Sequence, residues 1–162
     1  MRVELQSMRP KWDIIFDVDG TLMDITHRVK YLNRCVIDTA DWVKFREATS
    51  EDTPNLDIFE VAIAMQDRGH RIIISSGRNK SQMAVTLDQL YDNGLAMPVA
   101  QKAYYFRSDT DYRPDDVLKM EYLNKMRADG YNPTMAFDDR STVVAMWRKA
   151  GLRCLQVAEG DF

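Results

Sequence analysis

At 162 residues the chain is long enough for one domain with a substantial core, and 45% apolar with 29% charged residues excludes a disordered or fibrous class. A net charge of −3 excludes a global field that draws the chain along nucleic acid, so phosphate recognition must be local. No apolar run reaches membrane-spanning length, the first ten residues do not form a signal peptide, and Cys35, Cys154, His27 and His70 lack the spacing of a zinc site. The expectation is a cytoplasmic, non-membrane protein with both cysteines reduced in the core.

In chain order, Met1 to Pro10 reads as a frayed lead-in or a short added strand. Trp12 to Asp17 is the first core strand, carried by the apolar run Ile14, Ile15, Phe16. From Thr21 to about Thr53 the pattern breaks into two short helices with mixed faces and no convincing strand. Such an insertion directly after a strand suits a small helical cap, about residues 22–53, within a single domain of residues 1–162. Thr53-Pro54 predicts a cap residue followed by proline at the first helical position, opening a helix that ends at Gly69.

The second strand, Arg71 to Ser75, leads into Ser76-Gly77-Arg78 and then a helix from about Asn79 to Tyr91. Pro98 to Phe106 is a third strand and Asp109 to Arg113 a polar loop. Pro114 opens a helix ending near Gly130. Strand four, Thr134 to Phe137, runs into Asp138-Asp139-Arg140. A helix capped by Ser141 then stops at Gly151, before strand five at Arg153 to Val157. Alternation of this kind predicts an α/β three-layer fold, with a parallel sheet, helices on both faces and the ligand at the carboxyl ends of the strands.

That rule gathers the polar residues. Asp17 and Asp19 follow strand one, Ser76 and Arg78 strand two, and Asp138 and Asp139 strand four. Lys119 lies one turn after Asp115-Asp116. Two acids, Gly20 for a close turn and the Thr21 hydroxyl suit a divalent metal and phosphoryl transfer. Taken alone, Asp-Val-Asp-Gly is also an ordinary acidic turn. The order excludes a receiver domain, whose acidic pair precedes its phosphoacceptor and whose lysine comes last.

The succession Asp17-Val18-Asp19-Gly20-Thr21, Ser76-Gly77, Lys119 and Asp138-Asp139 resembles the haloacid dehalogenase superfamily of phosphohydrolases, a Rossmann-like fold. Phe16 to Leu22 with Arg28, Gly69 with Ile72 to Arg78, Asp115 to Lys119, and Asp138 to the Gly160-Asp161-Phe162 end narrow the likeness. They are similar to the 3′-phosphatase domain of bacteriophage polynucleotide kinase, with the cap matching least. No G-x-x-x-x-G-K-[ST] is found, so the expectation is phosphatase without kinase.

The resemblance and the residue chemistry imply one mechanism. Asp17 is the nucleophile that forms an aspartyl-phosphate, and Asp19 donates a proton to the leaving group and then activates water. Asp17, the backbone oxygen of Asp19, Asp138 and Asp139 hold magnesium. Lys119 adds positive charge, and Ser76 with backbone N–H groups near Gly20 and Gly77 binds phosphoryl oxygens. Arg28 and Arg78 are substrate-phosphate ligands by resemblance, where a plain reading sees surface charges. Thr21 and Asp115 are grouped with the substrate site, Asp115 also reading as a helix cap or as the partner that orients Lys119 or an arginine. Tyr31, Trp42 and Phe45 can stack on a base, although packing the cap is the reading favoured for them. The implied function is release of 3′-phosphate from DNA or RNA ends and from nucleoside 3′-monophosphates. The alternatives are a small-molecule phosphatase of the same fold and a non-catalytic binding protein.

Overall fold

The computed structural model describes residues 11–33, 35–97 and 102–160. Its centre is β1 (Asp13–Phe16), a strand buried along its whole length. Side chains alternate across a strand, so Ile15 points into one apolar layer and Ile14 with Phe16 into the other. Both layers are filled, which is why the run is apolar throughout rather than alternating.

Two short strands and two helices follow in the insertion. They are β2 (Met23–Asp24), α1 (Thr26–Val29), α2 (Thr39–Glu47) and β3 (Thr53–Pro54). The chain then continues with α3 (Leu56–Asp67), β4 (Arg71–Asn79), α4 (Met83–Asp92), β5 (Tyr104–Arg107), α5 (Asp115–Ala128), β6 (Pro133–Arg140), α6 (Ser141–Lys149) and β7 (Arg153–Gly160). The main sheet runs β5-β4-β1-β6-β7 with every pairing parallel. Leu118, Tyr122, Leu123 and Met126 of α5 pack with Val143, Val144 and Trp147 of α6 on the Ile15 face. Phe59 and Ala62 of α3 and Leu90 of α4 close the other face. The α/β fold with helices on both sides is the one expected.

Several boundaries differ from expectation, among them the start of β5 at Tyr104 and the end of β7 at Gly160. β2 and β3 form a small antiparallel pair, Met23 with Pro54 and Asp24 with Thr53, that closes the base of the insertion. Thr53-Pro54 therefore ends a strand pair, and α3 begins one step later, after Asn55. The Asn55 amide donates to the Leu22 carbonyl at 2.9 Å and its side chain to the Thr21 carbonyl at 2.8 Å, so the residue serves the turn instead of the helix. β4 and β6 run past their apolar stretches, because a ladder continues wherever a neighbouring backbone is in reach: Asn79 pairs with Arg107, and Arg140 with Gly160, each after a register shift.

Cys154 is buried as expected, whereas Cys35 is exposed on the insertion, so only one of the two cysteines belongs to the core. Residues 98–101 of the third strand and the lead-in at 1–10 lie outside the described residues. Among the described residues no helix is long and apolar enough to cross a membrane.

Candidate active site

The carboxyl ends of β1, β4 and β6 lie side by side, because β1 is the central strand and pairs with both others. The Asp17 amide extends the sheet by donating to the Phe137 carbonyl at 3.0 Å, which brings Asp17 level with Asp138 and Asp139. The chain then turns through Gly20, whose φ of +79° is the left-handed region glycine tolerates. A Cβ at Gly20 would stand 2.1 Å from an Asp139 carboxylate oxygen, and one at Gly160 would meet the same residue at 2.7 Å. Two glycines thus admit Asp139 to the site.

Asp17, Asp138 and Asp139 are all buried, with one ligand oxygen from each lying within 4.8 Å of the others. Lys119 reaches in from the second turn of α5, fully buried, and donates to Asp17 at 2.7 Å and to Asp138 at 2.8 Å. The Trp147 indole N–H adds a 3.2 Å contact to Asp138. One ammonium faces three carboxylates. Burial, reinforced by the neighbouring acids, pushes Asp17 well above the usual carboxylate range and Asp139 up to about 6. Burial opposes the charge on Lys119 but is outweighed by Asp138 and Asp17, which hold it firmly protonated.

Asp19 stands in the opposite environment. Its carboxylate is turned to Arg78, at 2.7 Å, and to Arg28, at 2.8 Å. Burial alone would raise its pKa, but Arg78 and then Arg28 prevail and hold it below the ordinary value. The same two guanidiniums share a carboxylate the sequence reading overlooked, Asp52. It is fully buried and accepts from Arg28 at 2.7 and 2.8 Å, from Arg78 at 2.5 Å and contacts His27 at 2.8 Å. Arg78 is further tied to Thr86 and Gln89, both at 2.9 Å. Arg28 and Arg78 are therefore buried parts of an ion-pair network under the insertion, not surface charges. Asp52 carried no local signal; it is 24 and 26 residues from the arginines it joins.

Other expected residues fall in the following places. The Ser76 hydroxyl accepts from the Arg78 amide at 3.1 Å, which leaves its own hydrogen free to donate. Thr21 is fully buried and its hydroxyl has no hydrogen-bond partner. Gly77 permits a close approach, since a Cβ there would lie 3.0 Å from Asp115. Asp115 stands in the first turn of α5 and is gripped by Arg107 and, at 2.9 Å, by Arg140.

A crevice of about 780 Å³ opens over these groups. Asp17, Asp19, Lys119, Asp138 and Asp139 line it, together with Arg107, Arg113 and Arg140 from the β5 and β6 ends and Ile25, Val29, Trp42 and Phe45 from the insertion. Its carboxylates can hold a hard cation, its lysine and arginines can take phosphate oxygens, and Asp17 is open to attack an electrophile.

Comparison with known proteins agrees with this geometry. The family model described as the polynucleotide kinase PNKP phosphatase domain matches residues 11–162. A chain of the Pnkp1/Rnl/Hen1 RNA repair complex is 28% identical with a TM-score of 0.76 over 94% of this chain and 44% of that one. The present chain thus spans less than half the length of that relative. A class C acid phosphatase from Bacillus anthracis, solved with tungstate bound, is 15% identical with a TM-score of 0.59 over 99% of this chain and 72% of that one. A hydrolase from Pseudomonas syringae is 13% identical with a TM-score of 0.63 over 93% and 94%. At those identities the last two share the fold alone.

Proposed function

The chain belongs to the polynucleotide kinase PNKP phosphatase-domain family of haloacid dehalogenase-type phosphatases, and from that premise we propose that it removes 3′-phosphate from nucleic-acid ends with magnesium. The observation that carries the reading is the crevice, which Asp17 lines together with residues of the insertion and with Arg107, Arg113 and Arg140. A phosphomonoester alone needs only the floor. Arginines beyond the floor suit the further phosphates of a strand.

The residues present fit magnesium. Three buried carboxylates against one ammonium leave surplus negative charge, and the upward shifts of Asp17 and Asp139 are its signature. Asp17, Asp138 and Asp139 would hold the ion, while the Asp19 carboxylate is engaged by arginines and is left to the backbone-oxygen role expected of it. When bound, the ion neutralises the carboxylates and the dianionic phosphate.

Asp17 attacks phosphorus; as its O–P bond forms, the bond to the 3′-oxygen breaks and that oxygen takes a proton from Asp19. Asp19 then removes a proton from water, which attacks the phosphoryl group, releases phosphate and restores Asp17. The arginine clamp keeps Asp19 ionised in the free protein, the form needed for the second step. An incoming dianion beside Asp19 opposes that clamp and favours the protonated form needed for the first. Lys119, bonded to Asp17, aims the nucleophile.

The test is a panel of 3′- and 5′-phosphorylated oligonucleotides, the matching mononucleotides and a sugar phosphate, assayed for released phosphate with magnesium. The 3′-phosphorylated strands are expected to be the best substrates, with nucleoside 3′-monophosphates next. Equal or faster hydrolysis of 5′-nucleotides or the sugar phosphate would move the assignment to a small-molecule phosphatase. No hydrolysis of any would leave a binding protein.

A further inference from the structure

We propose that Trp42, on the crevice face of α2, stacks against the base of the 3′-terminal nucleotide, so that the protein holds its substrate by base and phosphate together. This rests on the 3′-phosphatase reading above. The expectation from sequence was that Trp42 and Phe45 pack the interior of the insertion. Yet α2 buries only Asp41, and Trp42 keeps 44% of its surface exposed. Thr39, Trp42 and Arg46, spaced three and four residues apart, line the catalytic crevice with Phe45. That spacing is one face of a helix. The aromatic face is thus turned toward the reacting carboxylates.

The ring is braced from behind. Trp42 meets Phe45 edge-on, with centroids 5.9 Å apart and planes at 83°. Phe45 in turn lies under the Arg28 guanidinium, 4.2 Å from its centroid, and Arg28 is bonded to Asp19 and Asp52. The platform is therefore joined through Phe45 and Arg28 to Asp19, the residue assigned acid–base work. Its rigidity lowers the ordering cost of stacking.

The crevice itself selects the occupant. A group reaching Trp42 shares the cavity with Asp17 and Lys119, so it must carry a phosphomonoester as well as a flat apolar face. Arg46, one turn beyond Trp42 on the same wall, adds a cation for a neighbouring phosphate. A cavity of about 780 Å³ is far larger than a phosphate group and falls in the range that holds a nucleotide-sized ligand. Stacking tolerates any base, so the preference is for a base, not for a sequence.

The experiment compares a 3′-phosphorylated trinucleotide, the same trinucleotide with a base-free terminal sugar, and acetyl phosphate, using wild type, Trp42→Ala, Trp42→Phe and Tyr112→Ala. Tyr112 lines the same crevice from the loop before α5 and is 86% exposed. Wild type is expected to favour the base-bearing strand over the base-free one through KM. Trp42→Ala should raise KM for the base-bearing strand by roughly 5- to 100-fold, while leaving kcat and both base-free substrates within about twofold. Trp42→Phe should recover most of the loss. In an Asp17→Asn background, binding of the base-bearing strand should quench tryptophan fluorescence, and Trp42→Phe should remove the quench. Trp12 is stacked on His70 with centroids 4.8 Å apart, and Trp147 is buried with its indole N–H on Asp138, so any quench that survives Trp42→Phe belongs to those rings and not to the stack. Equal loss on all three substrates would overturn the proposal, as would transfer of the base effect to Tyr112→Ala. Wild-type indifference to the terminal base, with 3′-phosphate still released, would sink the stacking and leave the 3′-phosphatase reading standing. Turnover of acetyl phosphate without either oligonucleotide would remove both.

Discussion

Asp17 and Asp19 are two positions apart and live in opposite fields. Asp17 shares its pocket with two other acids and a single ammonium, whereas Asp19 faces two guanidiniums that it shares with Asp52. Burial among acids favours the neutral form of Asp17, and a cation held by Asp17, Asp138 and Asp139 would restore the ionised form that attack requires. Asp17→Asn keeps the volume but removes the attacking charge, and turnover is expected to fall at least about 10³-fold with the melting temperature preserved. Near-wild-type hydrolysis by the folded variant would exclude the covalent route. Asp19→Asn should lose a similar factor on alkyl phosphates. With a nitrophenyl ester its first step should partly recover, since that leaving group departs without a proton. A burst of nitrophenol in rapid mixing is the measurement, and equal impairment on both ester types would remove Asp19 from the protonation step.

At the scale of elements, the insertion is attached to the core by apolar packing of Leu22 and Met23 and by buried charge. The β2–β3 pair closes its base, and Asp52, just before β3, joins Arg28 of the insertion to Arg78 of β4. Gln82 and Gln89 add bonds to Thr49, each at 2.7 Å. Arg28, Arg78 and the Asp52 carboxylate are all buried, and such an ion network is costly to break from one side, because the remaining charges stay buried. Asp52→Asn is accordingly expected to destabilise the fold by about 3 kcal/mol or more. For a chain of this size that is a fall in melting temperature on the order of 10 °C. Phosphatase activity should fall with it at temperatures where the variant remains folded, because Asp19 loses the alignment of both its partners. A variant that melts like wild type would show that Asp19 and the remaining contacts suffice.

For the whole molecule, the parallel order β5-β4-β1-β6-β7 collects the site from three strand ends and from α5. Burying three carboxylates together opposes folding unless a cation joins them, so binding and stability are linked. Magnesium is expected to raise the melting temperature and to restore activity abolished by chelator. Calcium should stabilise the fold yet support turnover poorly, because its larger and looser shell misplaces the phosphate relative to Asp17. Full activity in excess chelator would refute the metal assignment.

The chain order of apolar runs and strand-end acids already determined much of this protein: the central strand, the α/β alternation, and Asp17, Asp138, Asp139 and Lys119 as one constellation. Those features are legible because burial imposes periodicity on the sequence, and because a parallel sheet delivers the residues after its strands to one edge. Tertiary structure alone decided the rest. The lengths of β4 and β6 depend on neighbouring backbones, and the β2–β3 pair joins segments whose own propensities are weak. Asp52 is found only once Arg28 and Arg78 are brought together, and Trp42 is a crevice wall only once α2 shows which face it leaves unburied. A long-range ion pair has no period and leaves no mark along the chain; it exists only when the fold closes the distance.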